Sequence, residues 1–155
     1  MSKSVKRVAR AAEDLGLTIE IKRMGDSTRT AEDAAKECGC EVARIVKSLI
    51  FVGRDTGDLH LLLVSGVNRV DLDKASGVVG EPLDRADAND VRARTGFAIG
   101  GVSPIGHLTA PHIWIDQSLM GFETVWAAAG APDAVFEVEP EALTQCTGAK
   151  ISDIC

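Results

Sequence analysis

Two strongly apolar runs, residues 45–52 and 59–64, are separated by little more than the polar, Gly-bearing connection Arg54-Asp55-Thr56-Gly57-Asp58. Both runs are rich in β-branched and large aliphatic side chains, which suit a pleated, buried surface. A connection this short joins strands that pair antiparallel with each other. The chain therefore carries a central hairpin, and the remaining elements must pack on it.

Those elements alternate. Val5, Val8, Ala9, Ala12 and Leu15 recur at helical spacing up to Gly16, and Ile19 and Ile21 then alternate with polar residues through 18–23 as in a strand. Thr30 followed three residues later by Asp33 resembles a capping box, opening an Ala-rich helix that runs to Glu37 and closes at Gly39. Short capped helices are expected at 71–76 and 87–94, strands at 113–115, 124–128 and 134–138, and a last helix at 141–147. Trp126 is expected to pack into the core from its strand. A hairpin with interspersed helices argues against a regular parallel, doubly wound sheet. It predicts an α/β fold of the α+β type, with one mixed, largely antiparallel sheet flanked by helices. At 155 residues, the chain is expected to form a single domain over 1–155 whose core needs no disulfides.

Composition removes several functions. No apolar run reaches the roughly 18 residues of a membrane span, and the basic N-terminal segment lacks the continuous apolar core of a signal peptide, so a cytoplasmic protein is expected. A net charge of −6 disfavours wide contact with duplex nucleic acid. The basic groups Lys6, Arg7 and Arg10, then Lys22, Arg23 and Arg29, then Arg69 and Lys74, still permit a small contact with a nucleic-acid end. Cys38, Cys40, Cys146 and Cys155 lack paired zinc spacing, and His60, His107 and His112 lack metal-ligand spacing. Neither a metal nor a cofactor is expected.

The chemistry concentrates in two places. Lys47 lies inside an apolar strand, where an ammonium needs a polar partner. Strict alternation puts Lys47, Leu49 and Phe51 on one face and Val46, Ser48, Ile50 and Val52 on the other. Lys47 either covers core with its stem and sends its head to water, or lays its ammonium at the floor of a cleft, to bind an anionic or carbonyl oxygen or to act as a base. The loop Gly100-Gly101-Val102-Ser103-Pro104-Ile105-Gly106-His107 is either a tight connection or an oxyanion cradle in which glycines let backbone amides approach a ligand. It is neither a Walker loop nor a Rossmann turn, and Ser103 with His107 lacks a nucleophile-elbow setting.

The order of Thr30-Ala31-Glu32-Asp33-Ala34-Ala35, Ile45-Val46-Lys47-Ser48-Leu49 and Gly100-Gly101-Val102-Ser103-Pro104-Ile105-Gly106 resembles the YbaK/ProX family, free-standing relatives of the editing domain inserted in bacterial prolyl-tRNA synthetases. The resemblance covers nearly the whole chain. It implies a trans-editing deacylase that hydrolyses the ester between a wrong amino acid and the 3′ end of a tRNA, typically tRNA for proline, with prolyl-tRNA synthetase as a candidate partner. Lys47 matches the family's essential lysine, which positions the 3′ end. Ser48, Gly100, Gly101, Val102 and Ser103 carry over as substrate contacts, with Pro104 shaping the turn. Met24, Thr28, Leu49 and Ala128 would set a pocket for a small amino acid. Where the cysteine-specific branch has Ser-Ala-Gly, this chain has Ala128-Ala129-Gly130, which points away from cysteine. The competing expectation is a non-catalytic module that binds an aminoacyl-tRNA end or a nucleotide.

Overall fold

The computed structural model describes residues 2–25 and 30–155. In chain order it forms α1 (Lys3–Asp14), β1 (Ile21–Arg23), α2 (Ala31–Cys38), β2 (Val46–Gly53), β3 (Leu59–Ser65), α3 (Leu72–Val79), β4 (Leu83–Arg85), α4 (Ala88–Thr95), β5 (His112–Asp116), β6 (Val125–Ala128), β7 (Ala134–Val138), α5 (Pro140–Thr147) and β8 (Lys150–Ser152). Among the described residues no helix is long and apolar enough to cross a membrane.

The hairpin forms as its sequence requires: β2 and β3 run antiparallel from Val46 opposite Ser65 to Val52 opposite Leu59. Local signals set the helix ends. The Thr30 hydroxyl accepts from the Asp33 amide while Asp33 reaches back to the Thr30 amide, and Gly39 ends α2 in the left-handed region. The Asp71 carboxylate caps α3 through the Asp73 and Lys74 amides. That helix runs to Val79 rather than Ser76, because Val79 packs on the cluster of Phe51, Leu62 and Leu83.

Instead of the single sheet expected, two are present. One has the strand order β4-β2-β3-β5-β8 and the other β1-β7-β6. Within the first, β3 with β5 and β5 with β8 are parallel, whereas β2 pairs antiparallel with both β3 and β4. The sheets are joined by an isolated bridge, Ile45 to Trp126, and share the main core. The split follows from how little covers the outer edge of β2, since β4 pairs only with Phe51, Val52 and Gly53. Between that contact and the Ile45 bridge, the edge of β2 over residues 46–50 has no partner strand among those described. The expected strand at 18–23 contracts to Ile21–Arg23, because only those residues oppose Ala134, Val135 and Phe136 of β7.

Every residue of β3 is buried. Leu61 and Leu63 face the main core, with Val5 and Val8 of α1, Ile115 and Phe136. Leu62 and Val64 face the other layer, with Phe51, Trp114 and Ile154. Each fully buried Leu here contributes about 2 kcal/mol, and this rigid strand fixes the position of β2 beside it.

Candidate active site

The gap between the sheets opens into a cavity of about 520 Å³, within the range of small-molecule sites. Lys47 and Ser48, adjacent on the open edge of β2, both border it. Met24 and Ala34 line one side, Trp126 and Ala128 of β6 another, and Ile99, Gly100 and Val102 a third. Two other clefts of comparable volume offer less chemistry. One, bordered by α5, is lined by Glu123, Glu139 and Glu141, and the other, between α1 and β1, contains no cation.

The Lys47 ammonium donates to the carbonyl of Asn68, in the turn after β3. That turn is fixed from below: the Asn68 side-chain amide donates to Asp116 Oδ2 at 2.9 Å and to Ser118 Oγ at 3.2 Å. Asp116, at the end of β5, is only 2% exposed and also accepts from the Ser65 amide at 3.1 Å and the Ser118 amide at 2.9 Å. Burial pushes its carboxyl upward, but the hydrogen bonds from Asn68, Ser118 and Ser65 outweigh this and hold it below the usual carboxylate range. Among the described residues no carboxylate lies within ion-pair distance of Lys47. An ammonium has three donors, so the single bond to Asn68 orients it and leaves two N–H groups for a ligand.

The neighbouring Ser48 Oγ is buried and, among the described residues, lacks a hydrogen-bond partner. An unsatisfied buried hydroxyl costs about 1–3 kcal/mol, which a rotation of Ser48 toward a polar group at the cavity rim would relieve.

The glycine loop divides between wall and support. Gly100 and Val102 line the cavity, whereas Gly101, Ser103 and Pro104 are buried behind it. The Gly101 amide is committed to the Ala98 carbonyl at 3.0 Å. A Cβ at Gly101 would lie 2.9 Å from Ala131 Cα, so its missing side chain lets the 128–131 turn close on the loop. Ser103 Oγ accepts from the Ile105 amide at 3.2 Å, and its carbonyl accepts from His107 Nε2 at 2.5 Å. His107 therefore engages the Ser103 carbonyl rather than its hydroxyl. Burial pulls the His107 pKa down to about 4. Thr28 lies outside the described residues.

Helix α1 ties both walls together. Arg7 Nε donates to the Gly106 carbonyl at 2.7 Å and Nη2 to the Gly96 carbonyl at 2.8 Å, with the guanidinium 4.7 Å from the Phe97 ring centroid. On the opposite wall Ser4 Oγ donates to the Gly130 carbonyl at 2.7 Å. Gly130 has φ +98°, and a Cβ there would meet the Ser4 carbonyl oxygen at 2.7 Å.

Residues 26–146 match the model of the aminoacyl-tRNA editing domain. The chain belongs to that family. This editing domain is 33% identical over 138 residues to the uncharacterised protein YwhH of Bacillus subtilis (strain 168), covering 88% of this chain and 87% of that protein. It is 29% identical to EbsC of Enterococcus faecalis (strain ATCC 700802 / V583), whose name gives a provisional Cys-tRNA(Pro)/Cys-tRNA(Cys) deacylase assignment. That match covers 81% of this chain and 76% of EbsC. A crystal structure described provisionally as a trans-editing enzyme for prolyl-tRNA synthetase superposes with a TM-score of 0.94 at 47% identity, covering 99% of this chain and 98% of that one.

Some residues of this candidate site escaped the sequence reading. Trp126, expected in the core, is half-buried: it packs on the small cluster of Met24, Ala34 and Ile45 and lines the cavity, because alternation along β6 gives the main core to Val125 and Ala127. Its ring lies 5.8 Å from Lys22 Nζ. The order His112-Ile113-Trp114-Ile115-Asp116, a carboxylate ending an apolar strand, was the available signal for Asp116. Nothing local marks Asn68 or Arg7, whose roles depend on contacts 48 and 99 residues away in sequence.

Proposed function

We propose that this protein is a trans-editing deacylase that hydrolyses the ester joining a small, non-cognate amino acid to the 3′-terminal ribose of a tRNA, most readily tRNA for proline. The observation that carries this reading is a lysine with two uncommitted N–H groups bordering a mostly apolar cavity, next in sequence to a buried serine hydroxyl that lacks a partner among the described residues. The lysine binds an oxygen of the incoming 3′ end, Ser48 pairs with a second polar group, and the apolar walls receive the amino-acid side chain.

The ester carbonyl then lies where the Lys47 ammonium and the wall amides of Gly100 and Val102 meet developing negative charge. Water adds to the carbonyl carbon, the bond to the ribose oxygen breaks, and a proton passes to that oxygen, giving free amino acid and tRNA. An activated ester in a fixed orientation needs no covalent nucleophile. The family match, together with the likeness to a crystal structure described provisionally as a trans-editing enzyme for prolyl-tRNA synthetase, supports a tRNA substrate.

Met24, Ala34, Trp126 and Ala128 leave room for a small side chain. An apolar wall of this kind separates neighbours by about 1–3 kcal/mol per methylene, so preference among alanine, serine, threonine and 2-aminobutyrate is expected to be graded. The test is release of labelled amino acid from tRNA for proline charged with each of these, with cysteine and with proline. Release from a small mischarged amino acid with prolyl-tRNA spared is the expected result. Binding of every member with release from none contradicts the reading and makes the protein a binding module.

A further inference from the structure

The open edge of β2 borders a second cavity, of about 210 Å³. Ser48, Leu49, Ile99 and Val102 line both spaces, so the two adjoin across one rim. From that rim the smaller cavity continues past Phe51 and Val91 to Arg85. Arg85 pairs across from Phe51, four residues along β2 from Lys47, a separation of about 13 Å at the strand rise.

Three properties of this space point to one ligand chemistry. Its walls are aliphatic and aromatic except at the ends. Its volume equals about seven waters, the scale of one heteroaromatic ring system. Arg85 is exposed and, among the described residues, makes neither an ion pair nor a side-chain hydrogen bond, whereas nearby Arg54 and Arg94 are held by Asp84 and Asp90. A free guanidinium beside an apolar slot suits a nucleotide, which offers a flat face for burial and a phosphate for the planar fork.

We propose that this second cavity is the nucleotide end of the same cleft. The base of the 3′-terminal nucleotide enters the smaller cavity, the phosphate on its 5′ side binds Arg85, and the ribose lies at the Ser48 rim, delivering the ester to Lys47. The identity of the ligand as an RNA end rests on the deacylase reading above. The placement also reconciles a net charge of −6 with an anionic substrate, because a single local cation meets a single phosphate.

The test is fluorescence anisotropy of a short RNA ending in single-stranded CCA, titrated with the wild type, Arg85→Ala and Arg85→Lys over a range of salt. Arg85→Ala should weaken binding about tenfold at low salt and reduce the slope of log K against log salt by about 0.7, while Arg85→Lys keeps the slope. A neutral methylphosphonate at the last linkage should weaken the wild type by the same factor and Arg85→Ala no further. A terminal abasic nucleotide should weaken the wild type and Arg85→Ala alike. Wild-type affinity and slope in Arg85→Ala, a loss that persists with the neutral linkage, or no RNA binding by the wild type would each overturn the proposal. A wild type that shows the expected RNA binding but hydrolyses no aminoacyl-tRNA would contradict the deacylase reading and leave this one standing.

Discussion

Lys47 is oriented through a chain of contacts. Its ammonium meets a backbone carbonyl, and the residue supplying that carbonyl, Asn68, is held by the buried carboxylate of Asp116. Replacing Asn68 with Ala keeps the carbonyl but frees the turn. The expected result is a fall in kcat of about tenfold with little change in KM, at a stability cost of about 1 kcal/mol, read from steady-state kinetics beside urea unfolding. A change in KM alone would place Asn68 in binding rather than orientation. His107 supports a second prediction at this scale. Its pKa is about 4 in the folded protein against 6.5 ordinarily, so between these values the unfolded chain binds the extra proton. Stability should be unaffected by this group above pH 6.5 and should fall by up to about 3 kcal/mol as pH drops toward 4. The urea midpoint followed against pH should show that loss, and His107→Gln should remove it; a loss that survives the substitution would assign it to other groups.

Among the elements, the outer edge of β2 and the β6 strand facing it shape the site. Gly101 carries the loop wall against the backbone of Ala131, 2.9 Å from where a Cβ would stand. Backbone cannot yield as a flexible side chain does, so Gly101→Ala should cost about 1–3 kcal/mol and lower turnover by displacing Gly100 and Val102. Unchanged thermal stability in this variant would contradict that packing. On β6, Trp126→Leu should enlarge the cavity and raise kcat/KM for a larger amino acid relative to alanine, measured by competing the two charged tRNAs; an unaltered ratio would remove Trp126 from the pocket wall. The hairpin, the Thr30–Asp33 capping box and the close of α2 at Gly39 were legible because each depends on residues near one another in sequence. The Trp126 face was not, since a four-residue strand with Val, Trp and Ala at successive positions gives no alternation strong enough to decide which side is core.

At the scale of the whole molecule, the cleft lies where two sheets bridged at Ile45 and Trp126 leave the edge of β2 over residues 46–50 without a partner strand among those described. That opening depends on pairings between distant segments, such as β1 with β7, and on the three-residue β4 stopping at Phe51. Short-range patterning carries no trace of either, so the sequence led to one sheet where two stand. It did single out a lysine whose setting required a partner, and the structure supplies that partner at Asn68. The cavity's walls and supports all converge on Lys47, and its substitution bears most directly on the proposed chemistry. The decisive measurement is single-turnover release of labelled alanine from alanyl-tRNA for proline by the wild type and by Lys47→Ala, with circular dichroism confirming that both are folded. A fall of two or more orders of magnitude in the rate for a folded Lys47→Ala is the predicted result; hydrolysis at the wild-type rate would contradict it.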